Sequence, residues 1–361
     1  MNLASYYYYI YLFIISIFSF KVFSSYRKKI VIYHKNDFLH GILMLVFAVL
    51  FIGLRPVSGA FTDMGSYTHH YETMLGMPFF FDRYAENVIF DNIMPFMASL
   101  GVSSTTYFLT IAFGYFGFMY WACKRFFPND SFVAFLVCLG AFSTFSYGTN
   151  GIKAGLATSF FLMAISYRNK LWLCIPLVLI SKGFHHGMTV PIVAFFCTLL
   201  CSKPKYYFYI WTASLIMAIL HISAFMNLFA SFTDDRGSDY LLGDMGTYIG
   251  FRPDFVLYSA MPVWLGWVSL KKIPKCSTTY KMLLNMYLLT NSVWMLCMYA
   301  NFNNRIAYLS WFLYPIVLIY PLLIEDWQGN KYALFSKVGT YHLAFTLFMA
   351  IIYYGILRLG R

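Results

Sequence analysis

Long apolar runs recur along this chain and constrain it more than any other feature. They are Tyr6–Phe23, Leu39–Leu54, Tyr107–Trp121, Phe132–Phe145, Leu283–Met298 and Ile306–Ile324. A helix needs about 20 apolar residues to cross a bilayer core. The chain is 60% hydrophobic and 11% charged, too apolar for one soluble core of 361 residues. The expected fold is therefore an all-α polytopic integral membrane protein forming a single membrane domain over 1–361. The first run is long and aromatic, and no small-residue cleavage site follows it, so it is expected to remain as a span.

The formal net charge of +12 invites a nucleic-acid partner. Its distribution excludes one. Most Lys and Arg lie in short clusters between the runs: Lys21 to Lys35, Lys124–Arg125, Arg168–Lys170, Lys203–Lys205, Lys271 to Lys281, and Lys331 with Lys337. Such clusters mark cytoplasmic loops. The intervening segments are then external, which predicts about twelve spans, both termini outside, and two longer external loops at about 55–103 and 227–254. The cytoplasmic basic residues are Lys except for Arg27, Arg125 and Arg168. The external ones are mostly Arg: Arg55, Arg83, Arg236, Arg252, Arg305, Arg358 and Arg361, with only Lys153 and Lys182 as Lys. Orientation needs charge alone, whereas a planar guanidinium fork suits phosphate or carboxylate. External Arg also pair simply with external Asp and Glu.

The segment 171–201 has cytoplasmic signals at both ends and is too short for two full spans. It predicts a broken pair of short helices, each arm rising ~20 Å, with the tip "SKGFHHGM" sunk below the outer surface. Polar backbone at that depth is tolerated only where it lines a cavity or is buried in protein.

Four residues sit at predicted external ends of spans: Arg55, Lys153 after "YGTNGIK", His185 at the sunken tip, and Arg305 after "NFNN". Charges in such places are costly and mark candidate sites, although Lys and Arg at span ends also snorkel to headgroups. Lys182 and His185 are three apart and share a helix face if the helix persists. A nearby ammonium would keep the imidazole neutral, as a general base requires. Asp63, His69, His70 and Glu72 lack the spacing of a helical metal motif. "DDRGSD", Asp234 to Asp239, lacks the closing Glu of a calcium loop and reads as a solvated or sugar-binding loop. Seven scattered Cys include no CxxC pair. No metal site and no cofactor are expected, and no Walker, GxSxG or dinucleotide motif is present.

The order of these motifs resembles a known family. "GLRPVSGAFTDMGSYTHHYE" is similar to the "GLR…G.D…Y" signature of EpsG/Wzy-type polysaccharide polymerases. "GIKAGLA" resembles their "RQ.iA" span start, with Lys153 for Arg and Ala154 for Gln. "GFHHGM" resembles their "fH.s" element at His185, and "NNRIAYL" their late "R…Y" element at Arg305 and Tyr308. The resemblance implies a metal-independent, GT-C-like membrane glycosyltransferase. It would act on undecaprenyl-diphosphate-linked oligosaccharides at the outer face of a bacterial cytoplasmic membrane. The products would be O-antigen, capsule or exopolysaccharide, with a chain-length regulator as a further protein partner and membrane lipid around the chain. Arg55, Lys153, Arg305 and Lys182 would then hold the diphosphate. His185 or Asp63 would be the general base. Tyr67, His69, His70, Asp234, Asp235, Arg236, Asp239 and Arg252 would grip sugars. A lipid-linked oligosaccharide flippase or transporter, an O-antigen ligase and an acyltransferase are the competing readings.

Overall fold

A computed structural model describes residues 2–28, 37–222, 224–230, 239, 241–243 and 250–355. Among these residues all regular secondary structure is helical, and there is no strand. In chain order the α-helices are α1 Leu3–Arg27, α2 Asp37–Gly53, α3 Asp63–Thr73, α4 Phe90–Ser99, α5 Ser104–Phe126, α6 Ser131–Leu139, α7 Phe142–Thr149, α8 Ile152–Ser166 and α9 Leu171–Phe184. There follow α10 Thr189–Leu200, α11 Pro204–Ile219, α12 Ala224–Ala230, α13 Pro253–Lys272, α14 Thr278–Leu296, α15 Asn303–Trp311, α16 Tyr314–Leu323 and α17 Lys331–Ala350.

This is a multi-pass membrane protein. Among the described residues, three helical stretches are both long and apolar enough to cross a bilayer: Leu3–Arg27, Asn303–Leu323 and Lys331–Gly355. The bent pair α6 and α7 makes a fourth if it is one span; the two halves meet at 75°. Other apolar runs form shorter helices, including α2, α8 and α9. Helix length alone therefore does not yield the twelve expected spans. The run Phe132–Phe145 reads as one continuous span, yet the helix breaks between Leu139 and Phe142. Every residue of α6 is buried, and a bent segment is tolerated where protein rather than lipid surrounds it.

The chain divides into two compact units, 1–188 with 330–361, and 189–329. In the first unit α5 packs between α2 and α8, α8 also packs on α7 and α9, and α1 pairs with α17. Gly155 lets α8 approach α7: a Cβ there would lie 2.8 Å from the Tyr147 carbonyl oxygen. The basic end of this unit spends its carboxylates on structure. Asp37 accepts the Ser131 and Phe132 amides at 3.1 and 2.9 Å, capping α6. Carboxylates favour helix N-termini because the first amides there lack partners. Tyr26 donates to Asp130 beside it.

The second unit is built on α14, against which α10, α11, α15 and α16 pack. Its core holds a fully buried amide, Asn291. Asn291 accepts from the Trp211 indole at 2.9 Å and donates to the Ser259 and Ser310 hydroxyls at 3.1 and 3.0 Å. Trp311 donates to Ser259 at 2.8 Å. A buried polar network satisfied in this way fixes one packing of four helices. Glu325 accepts the Ser277 amide at 3.1 Å and so supports the start of α14.

The expected external loop 55–103 is partly helical. It carries a short 3-10 turn at Gly59–Phe61 and the two helices α3 and α4. Of the expected loop 227–254, only parts are described, so Asp234, Asp235 and Arg236 lie outside the described residues, as do Arg358 and Arg361.

Candidate functional site

The segment 171–201 does form two short helices, α9 of 14 residues and α10 of 12 residues. Between them His185 is extended, and a 3-10 turn spans His186–Met188. The helix ends at Phe184, so Lys182 and His185 do not share a helix face as expected. Lys182 is exposed and its ammonium donates to the His186 carbonyl at 2.7 Å.

The end of α9 is bound to the segment that leads into α4. Ile89 donates its amide to the Gly183 carbonyl at 2.9 Å. Gly183 permits this approach, since a Cβ there would lie 2.6 Å from Ile89 Cγ1. The segment itself is pinned by buried Asn92. Its amide donates to the Asp82 and Val88 carbonyls, both at 2.7 Å, while its oxygen accepts the Asp82 amide at 2.7 Å.

On this support a chain of polar contacts runs through three elements. Lys153, in the first turn of α8, pairs with Asp91 of α4 at 2.5 Å. The ammonium also lies 5.3 Å from the centre of the Phe90 ring, a cation–π distance. Asp91 accepts the Asn87 amide at 3.0 Å. Asn87 is buried and accepts the His186 amide at 2.9 Å. The His186 ring Nδ1 lies 3.1 Å from Glu86 Oε1 and 3.4 Å from Asn87 Oδ1. Tyr67 of α3 meets the edge of Phe90 with ring centres 6.3 Å apart. Asp63 is one turn earlier on α3 and shares that helix face with Tyr67. His69 and His70 are exposed.

The two adjacent His hold opposite roles. His185 Nδ1 accepts the Gly187 amide at 3.0 Å. In a neutral ring the proton is then on Nε2. At His186 two oxygens face Nδ1, so the proton belongs on Nδ1 and the lone pair on Nε2. The rings stack, with centres 5.0 Å apart and planes 13° from parallel.

Arg55 occupies a different kind of place. It is buried, and its two terminal nitrogens donate to the Ile52 and Thr149 carbonyls at 2.7 and 2.9 Å. Phe61 and Phe108 flank the guanidinium at 5.6 and 5.1 Å. Burial pulls it down from its ordinary value to about 10, which leaves it charged at neutral pH. Its fork closes the end of α2 against the end of α7, just before the turn that launches Lys153.

In the second unit the "NFNN" turn organises the cations. Phe302 adopts the left-handed conformation, φ 48° and ψ 37°. Asn301 donates to the Gly243 carbonyl at 2.5 Å. Asn303 accepts from Arg252 at 3.3 Å and donates to the Met298 carbonyl at 2.8 Å. Arg252 grips Asp254 through two nitrogens, at 3.1 and 2.9 Å. Arg305 is exposed, with its guanidinium 5.0 Å from the Phe302 ring centre. Asp239 is exposed.

A family model described as the EpsG family matches residues 38–358, nearly the whole chain. The chain belongs to the EpsG family. No curated protein and no solved structure matches it. The match spans "GLR", "GIKAGLA", "GFHHGM" and "NNRIAYL" alike. Within this EpsG-family chain, Lys153, Lys182 and His185 fall in one cluster of the first unit, and Tyr67 borders it. Sequence inspection did not single out Glu86, Asn87 or Asp91, which tie that cluster together. Among the described residues, no group of three or more His, Cys, Asp and Glu is placed to hold a metal ion.

Proposed function

We propose that this protein is a polysaccharide polymerase that joins oligosaccharide repeat units carried on a polyprenyl diphosphate, at the outer face of the cytoplasmic membrane. The family match over residues 38–358 carries this reading. The cluster around Lys153 supports it, because the chemistry needs a cation that a substrate can reach. As the glycosidic C–O bond breaks, negative charge gathers on the leaving diphosphate. A preorganised cation aimed at that charge lowers the barrier. Lys153 is that cation. Asp91 holds its ammonium in place, and a diphosphate of higher charge density competes for it.

His185 offers Nε2–H to an anionic oxygen, which makes it a donor to the diphosphate rather than a base. Lys182 adds positive charge beside it. Arg55 serves at one remove, by holding the turn that presents Lys153. Asp63 and Tyr67, on one face of α3, orient the acceptor sugar, with His69 and His70 as outer sugar contacts. In the second unit Arg305 is a separate anion contact to be tested independently. Asp239 is a glycan contact of the same unit, and Arg252 braces the "NFNN" turn beside it through Asn303.

The test is incubation of the purified full chain with polyprenyl-diphosphate-linked repeat units extracted from the host. A ladder of lengthening glycans is expected. Transfer only when a second acceptor is added would make the protein a ligase. Movement of the lipid-linked unit across a vesicle membrane, with no covalent change, would make it a flippase.

A further inference from the structure

We propose that His186 and Glu86 form a carboxylate–imidazole dyad that takes the proton from the acceptor hydroxyl; this rests on the polymerase reading above. The dyad is built from two segments far apart in sequence. Glu86 Oε1 lies 3.1 Å from His186 Nδ1. Asn87, the next residue, fixes the backbone of His186 through its amide at 2.9 Å and presents the same oxygen to Nδ1 at 3.4 Å. Two oxygen acceptors at Nδ1 admit one neutral tautomer, with a lone pair on Nε2. A base within hydrogen-bond reach of a hydroxyl needs that lone pair.

His185 has the reverse arrangement, because the Gly187 amide occupies its Nδ1 at 3.0 Å. The neighbouring imidazoles are thus set as one donor and one acceptor. The His186 side chain is 54% exposed and that of Glu86 39%, so a substrate hydroxyl can reach Nε2. Lys182 donates to the His186 carbonyl at 2.7 Å. Asp91 is held by Lys153 at 2.5 Å, with Asn87 bonded to both Asp91 and His186. The imidazolium formed in the reaction faces the Glu86 carboxylate, which stabilises its charge.

The step balances without a further reactant. The acceptor O–H bond breaks, and its proton goes to His186 Nε2. The oxygen's electron pair forms the new bond to the anomeric carbon. That carbon's bond to the diphosphate oxygen breaks, and its electron pair leaves on the diphosphate. The imidazolium later returns its proton to water. His186 is the catalytic residue here, and Glu86 is a positioning residue.

The experiment measures kcat and KM for ladder formation by the purified full chain on host lipid-linked repeat units. His186→Gln and His186→Gly are expected to lower kcat about 100-fold, the low end of the range for general bases, with KM changed less than about threefold. Glu86→Gln is expected to lower kcat about tenfold, with recovery in Glu86→Asp. Imidazole added to His186→Gly restores turnover, a response that a structural role does not give. Turnover of His186→Gly within threefold of the unaltered protein overturns the dyad, as does lack of imidazole rescue. Loss of both His186 variants from the membrane fraction makes His186 a folding residue and also overturns it. If the unaltered chain makes no ladder, the polymerase reading fails first, and the dyad falls with it.

Discussion

Lys153 and Arg252 each hold an aspartate, and they hold it in different ways. Lys153 reaches across 62 residues to Asp91, and both side chains are 27% exposed. Arg252 grips Asp254 two residues away with both arms of its fork, at 12% and 21% exposure, and lies 3.5 Å from the Phe255 ring centre. The first pair joins separate elements and is half-buried. Breaking it to bind an anion gives up one contact rather than two, so it costs less than opening a bidentate fork. The second pair is bidentate and covered by an aromatic ring. Such a pair is stronger and geometrically specific, and a ligand would have to dismantle it. Lys153 is the cation we propose for the substrate; Arg252 is a clasp.

The largest expected effect on turnover separates these two roles. Lys153→Ala should slow ladder formation by roughly 10²–10³-fold, about 2.7–4 kcal/mol of barrier, as for a lost oxyanion donor. Its melting temperature in detergent should barely move. Lys153→Arg keeps the charge and should retain much of the activity. A large stability loss with unchanged turnover for Lys153→Ala would make it a clasp like Arg252 and remove the contrast.

Arg55 provides the next test, because it is a cation spent on structure within the same unit as Lys153. Hydrogen bonds to charged groups contribute about 1.5–3 kcal/mol each. Arg55→Met removes two of them and should cost about 3–6 kcal/mol of stability, measured by thermal or denaturant unfolding in detergent. Any loss of turnover should follow the loss of fold. A stable Arg55→Met protein with no activity would return Arg55 to the diphosphate.

These contrasts mark how far the sequence can be read. Apolar run length makes the chain a helical membrane protein, and the 31-residue distance between basic signals anticipates the short pair α9 and α10. The break between α6 and α7 lies inside an unbroken apolar run, and burial rather than local composition permits it. Arg55 stands out as a charge at the end of a span. Whether its fork meets a ligand or two helix-end carbonyls depends on Thr149, 94 residues on. Asp91 and Asn87 look like ordinary polar residues of an external segment. Asn87 lies just before α4 and Asp91 in its first turn, but their partners His186 and Lys153 lie 99 and 62 residues away. The roles of His185 and His186 are set by which acceptors and amides face each ring, and residue type carries no trace of that.

The second unit supplies a smaller test of the clasp. Arg252→Lys keeps the charge but loses the fork to Asp254, and it should cost about 1–2 kcal/mol of stability. Ladder formation should fall only in proportion to the folded fraction. A change in the sugars accepted, without loss of fold, would instead place the Arg252 guanidinium against the glycan.

The smallest expected effect tests whether the clasp extends to the "NFNN" turn. Asn303→Ala removes the acceptor of Arg252 at 3.3 Å and the donor to the Met298 carbonyl at 2.8 Å. Net hydrogen-bond contributions of about 1 kcal/mol predict a modest loss. The informative quantity is the coupling between Asn303→Ala and Arg252→Lys. Side chains in one network couple by about 0.5–3 kcal/mol, whereas independent sites add within about 0.5 kcal/mol. Coupling above that additive limit, from unfolding of both single variants and the double variant, would show Arg252 and Asn303 acting as one clasp between the start of α13 and the start of α15. Additive losses would reduce Arg252 to its local pair with Asp254, and the turn would then be held by Phe302 and Asn301 without it.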